Sequence, residues 1–97
     1  ISHLYAGIGF IYSVSNKTEA ALDYYNKSAL YFEQSPKKKF IAGFVHTGLG
    51  RIYERERLYQ KADEEFENAK SLGGSGMRYF NYLVSLHPHQ QSYIEKN

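Results

Sequence analysis

"LGRIYERERLYQKADEEFENA" (residues 49–69) carries the outline of an earlier stretch, "IGFIYSVSNKTEAALDYYNKS" (residues 8–28). The two align without a gap over 21 residues, and only Gly, Ile, Tyr and Ala are identical in place. Tyr12 and Tyr53 stand 41 residues apart, and the same step links Gly9 to Gly50, Ala21 to Ala62, Tyr25 to Phe66 and Ser28 to Ala69. One step shared by several positions marks an internal repeat, and repeats of this size build stacked arrays. The retained residue types are those that packing needs. Gly suits a helix that crosses its partner closely, Ala supplies the matching small surface, and Tyr or Phe fills a wedge. On this reading Gly9 nests against Ala21 and Gly50 against Ala62, while the residues between them face water or a ligand.

Outside these stretches the punctuation and periodicity are helical. Phe40, Ile41, Phe44, Val45, Leu49, Ile52 and Tyr53 recur at three- and four-residue steps, one wide apolar stripe of a long helix. Ala21, Tyr25, Ser28 and Phe32 form a second stripe, and Ala62, Phe66, Ala69 and Leu72 a third. Tyr24 and Tyr31 fall off the second stripe, over the next hairpin or in an exposed aromatic patch. Ser35-Pro36 reads as a helix start, with Ser as N-cap and Pro at the first helical position. "LGGSG" (residues 72–76) reads as a helix end and a hinge. No segment alternates as a strand would. The pattern predicts five helices, at about 2–14, 18–34, 36–55, 59–72 and 77–86, joined by short connections that make neighbours antiparallel. The fold class is all-α, in a single domain over 1–97. Repeat 1 covers about 2–34, repeat 2 about 36–72, and a capping helix with its tail 76–97.

Composition narrows the function classes. A net charge of +2 is too small for a nucleic-acid surface. With no cysteine there is no disulfide framework or thiolate chemistry, which fits a reducing, cytoplasmic setting. No apolar run reaches membrane-spanning length. Ten tyrosines and six phenylalanines suit contact surfaces that stay partly wet. The opening "ISHLY" has neither Met nor a signal pattern, and the chain reads as a piece of a longer protein.

The pattern large–x2–Leu–Gly–x2–Tyr–x8–Ala–x3–Phe–x2–Ala resembles the tetratricopeptide repeat. Tyr5, Ile8, Gly9, Tyr12, Ala21, Tyr25 and Ser28 fill it once. Leu49, Gly50, Tyr53, Ala62, Phe66 and Ala69 fill it again, with His46 in the large aromatic slot. The family's closing Pro is missing from both copies. The step of 41 exceeds the family's usual 34 by seven residues, which fall between Ser28 and Phe44; lengthened repeats occur in kinesin light chains and in certain bacterial regulators. "GMRYFNYLVSL" (residues 76–86) departs from the pattern at Val84 and His87 and reads as a capping helix.

The resemblance implies antiparallel helix hairpins stacked as a short right-handed solenoid, with the first helix of each repeat lining a concave groove. The family's groove positions are His3, Ala6, Phe10 and Ser13 in the first copy and Phe44, Thr47, Arg51 and Glu54 in the second. Arg78, Asn81 and Ser85 follow from the cap. The implied function is an interaction module that binds a peptide or partner protein, with an acidic group near Arg51 and Arg78. Ala6 and Phe10 stand where chaperone-binding members carry Lys and Asn, so that subtype is not expected. Two other readings remain open: a signal-sensing domain of a larger regulator, and a self-association module joined through an apolar solenoid end around Ile1, Leu4 and Tyr5.

No catalytic constellation emerges, and no cofactor or metal is implied. His87 and His89 have metal-like spacing but no further ligand nearby. "GGSGM" lacks the last Gly of a nucleophile elbow. Lys37, Lys38 and Lys39 oppose the dipole of the helix they begin, and read as solvated lysines with Glu33 nearby or as a site for an acidic partner.

Overall fold

Two tight reversals, 41 residues apart, are built alike. In the first, the Lys17 N–H donates to the Tyr12 carbonyl at 2.9 Å and the Asn16 N–H to the Ser13 carbonyl at 3.1 Å. In the second, Leu58 N–H meets the Tyr53 carbonyl at 2.8 Å and Arg57 N–H the Glu54 carbonyl at 3.0 Å. Asn16 and Arg57 both take the left-handed conformation, at φ 62° and 66°, which satisfies the last carbonyls of the incoming helix and turns the chain back. Each reversal closes an antiparallel hairpin.

The computed structural model describes residues 1–87. It contains α1 (Ser2–Val14), α2 (Thr18–Ala29), a 3-10 turn (Phe32–Gln34), α3 (Lys38–Arg55), α4 (Tyr59–Ser71) and α5 (Ser75–Ser85). Among the described residues there is no strand, and no helix is long and apolar enough to cross a membrane.

Inside each hairpin a glycine lies beneath an aromatic ring. A Cβ placed on Gly9 would fall 2.7 Å from the Tyr25 ring, and one on Gly50 2.5 Å from the Phe66 ring. The atoms nearest each missing Cβ therefore belong to the aromatic four residues past the alanine. The alanines are buried as well, but the bulky ring is what needs the missing side chain. A side-chain hydrogen bond fixes the open end of the first hairpin, where Ser28 Oγ donates to the Ser2 carbonyl at 2.7 Å.

The second hairpin docks on the first through the same ring. α3 packs against α1, α2 and the 3-10 turn, and a Cβ on Gly48 would lie 2.5 Å from the phenol end of Tyr25. Tyr25 is thus wedged between Gly9 and Gly48. Its hydroxyl sits 3.4 Å from Ser13 Oγ, which donates to the Phe10 carbonyl at 2.8 Å. Val45, Leu49 and Ile52 of α3 belong to the apolar core that joins the hairpins.

The expected boundaries hold for α1 and shift elsewhere. α2 stops at Ala29 rather than near Gln34. Pro36 holds Ser35 extended, at φ −96° and ψ 135°, so the chain cannot enter α3 as one unbroken helix. The 3-10 turn takes up the slack and lays Phe32 against the core. The stretch between Ser28 and Phe44, where the repeat is lengthened, is therefore a connector followed by the first turns of α3. Ser35 Oγ accepts the Lys37 N–H at 3.1 Å, a cap one turn ahead of the helix proper, which begins at Lys38. Gly73 and Gly74 take positive φ, and α5 starts at Ser75, two residues earlier than expected. Tyr24 and Tyr31 cover their own hairpin: Tyr24 stacks on Tyr12 at 5.6 Å, and both lie about 6 Å from Tyr5.

Gly50→Ala should lower the unfolding free energy by about 1–3 kcal/mol in denaturant titrations, because overpacking at the Phe66 ring outweighs alanine's higher helix propensity. Arg57→Gly should raise it by up to about 1 kcal/mol, since glycine takes the left-handed conformation without steric strain.

Candidate binding groove

The expected groove positions of α1 and α3 do come together, but α5 lies over them. Phe80 of α5 is fully buried. It meets Phe10 edge-on with ring centroids 5.3 Å apart, and Phe44 likewise at 5.2 Å. Phe10 and Phe44 are themselves 5.9 Å apart. Burying one such ring contributes about 2–3 kcal/mol, and edge-to-face pairs add to that. The backbone makes this approach possible. Gly76 has no Cβ, and one would collide with the Phe40 carbonyl and the Phe44 amide of α3. α5 packs mainly on α3 and only lightly on α4. It rests on the second hairpin along α3 and reaches α1 through the Phe10–Phe80 contact.

Thr47 lies in the core and not on a groove surface. It is fully buried, and its hydroxyl donates to the Gly43 carbonyl at 2.8 Å. Arg51 and Glu54 are half-buried neighbours. Arg51 donates to Glu54 Oε1 at 3.3 Å and to Asn81 Oδ1 at 3.2 Å, and its guanidinium lies 5.4 Å from the Phe66 ring centre. Its charge is already partnered inside the molecule, and together with Asn81 it ties α5 to α3. Arg78 is exposed, and its guanidinium lies beside Gly74. Of the repeat positions, Gly9, Ala21, Tyr25, Gly50, Ala62 and Ala69 are buried, while Tyr12, Tyr53 and Phe66 are half-buried.

Two open clefts remain beside the covered seam, sharing His3, Phe40 and Ile41 in their walls. The smaller, about 260 Å³, is lined by Ala6, Gly7, Phe44, Tyr79 and Leu83 as well. The larger, about 610 Å³, runs out past Ser2, Tyr31 and Pro36 to Lys37. Lys38 is engaged by Glu33 at 2.8 Å, whereas Lys37 stands exposed on the cleft rim.

Two contacts were not legible as functional pairs in the sequence. Arg55 Nη1 donates to the Ser13 carbonyl at 3.0 Å and to Asn16 Oδ1 at 3.3 Å, and Nη2 reaches Thr18 Oγ1 at 3.5 Å. A cation thus meets the carbonyl end of α1, where the helix dipole favours it, and clips the two hairpins together. The signal was there: Arg55 replaces Val14 at the repeat step, a charge at an otherwise apolar position. His46 Nδ1–H donates to Glu65 Oε1 at 2.7 Å inside the second hairpin, filling the slot of the motif's large aromatic with an ion-pair-like bond. Burial, and secondarily the Glu65 carboxylate, push the Tyr53 phenol above its ordinary value.

His87 is placed at the end of α5, where Nδ1–H donates to the Leu83 carbonyl at 2.9 Å; His89 lies outside the described residues. Among the described residues no group of three or more potential ligands could hold a metal ion. Compared with protein-family models, curated proteins and solved structures, the chain matches none.

Arg55→Ala should cost about 1–2 kcal/mol of stability, since it removes a charge-assisted bond to a helix end; urea titration reads it directly. The Tyr53 shift has a definite sign. A phenol whose folded value lies above the unfolded 10.0 stabilises the fold below that pH and loses the contribution as pH rises past it. Unfolding midpoints followed between pH 9 and 11 should decline less steeply for Tyr53→Phe than for the parent chain.

Proposed function

We propose that this chain is an interaction module of the tetratricopeptide kind, two hairpins stacked in a right-handed sense, that holds a peptide segment of a partner protein along the seam between α1 and α3. The observation that supports it is the treatment of Phe80. The seam takes an aromatic side chain from a separate helix between Phe10 and Phe44, and the same trough continues open into the clefts around His3, Phe40 and Ile41. An apolar anchor fits there. An acidic group beyond it is met by Lys37, because Arg51 already holds Glu54 and Asn81.

A sensing role has one feature in its favour. α5 follows two glycines with positive φ and rests chiefly on α3, so a ligand that competes for the seam would shift one helix and leave both hairpins intact.

The test is a panel of fluorescent peptides with one aromatic or aliphatic anchor and a flanking Asp or Glu, titrated by anisotropy. Peptides that bind should lose about tenfold in affinity to Lys37→Glu, as for one charge-assisted contact. They should lose a similar factor to His3→Asp, while unfolding midpoints stay within 2 °C or so. Binders indifferent to both substitutions would place the peptide elsewhere.

A further inference from the structure

We infer that the outer face of α1 is a second docking surface, shaped for the second helix of another hairpin of the same kind, with an aromatic side chain of that helix seated on Gly7. This inference rests on the equivalence of the two hairpins; Gly7 also lines the edge of the smaller cleft.

The 41-residue step places Gly7 on Gly48, Leu4 on Val45, Ile8 on Leu49 and Ile11 on Ile52. In α3 these positions meet the first hairpin: Val45, Leu49 and Ile52 join the common core, and Gly48 receives the Tyr25 ring. In α1, Leu4, Gly7 and Ile11 are exposed and Ile8 is half-buried. Leu4 and Ile11 are 59% and 62% exposed, against 1% and 0% for Val45 and Ile52. A Cβ on Gly7 would meet nothing within 4 Å.

Exposed aliphatic residues alone would say little. Gly7 adds a second, independent observation. Glycine in the middle of a helix weakens it relative to alanine, and nothing within the described structure uses the missing side chain at this position. Its counterpart shows what the gap accommodates, a ring that would collide with any Cβ.

The occupant is specified by the interface already present one repeat later. It is a helix hairpin whose aromatic, equivalent to Tyr25, is not yet covered. A second copy of this chain offers only Phe66, half-buried on Gly50 and already carrying Arg51 over its ring; its Tyr25 is buried beneath α3.

The test places a duplicate of residues 1–41 directly before Ile1 of the full chain, which keeps the spacing and sets the duplicate's Tyr25 beside the original α1. The extended protein should unfold in one transition at a higher midpoint than the 97-residue chain. Leu4→Glu and Ile11→Glu in the original α1 should each lower that midpoint by more than about 5 °C, and shift the unextended chain by less than about 2 °C. Gly7→Ala should change sign, raising the midpoint of the 97-residue chain and lowering that of the extended one. Two separate transitions, or equal shifts in both proteins, would overturn the assignment. So would a dimer of the unextended chain, seen by light scattering and dissolved by Leu4→Glu, because the face would then serve self-pairing.

Discussion

The ring of Tyr25, pressed between Gly9 on one side and Gly48 on the other, is the contact on which the arrangement of the molecule depends. One fully buried side chain sets two distances at once, the spacing of α1 and α2 within their hairpin and the seat of α3 upon them. Close packing leaves no slack for a methyl group at either glycine. The phenol oxygen, placed beside Ser13, allows so deep a burial without stranding a polar atom. A Phe at the equivalent position of the second hairpin needs no such partner, and it lies nearer the surface.

Around that wedge the two hairpins are joined by quite different chemistry at their two ends. At the turn end, Arg55 spans from α3 to the carbonyl end of α1 and to Asn16 and Thr18. At the opposite end, the connector between α2 and α3 packs Phe32 on the core and within 6.4 Å of His46. Aromatic burial holds the middle. The hairpins are thus held at three places along their length, and α5 rests mostly on one helix of them.

The seam that α5 covers shows how a surface and its occupant can come from one chain. Phe10 and Phe44 alone would leave an apolar strip open to water. Phe80 fills it edge-on, and the bare backbone of Gly76 lets the helix come close enough to do so. The outer face of α1 has the same kind of apolar strip and the same kind of glycine notch, without an occupant.

By itself the sequence determined the all-helical fold class, the 41-residue step and the residues that carry it, because periodicity and glycine placement are local properties of the chain. α1 follows from such local signals, as does the double-glycine joint. Only the tertiary structure decided that the rings of Tyr25 and Phe66 stand over Gly9 and Gly50, since the pattern marks a helix face but not which atom stands over it. The tertiary structure also put Thr47 inside and spent the charge of Arg51 on Glu54 and Asn81. Those outcomes hinge on where α5 lands, and that is fixed by shape fit between distant segments, a quantity no local pattern records.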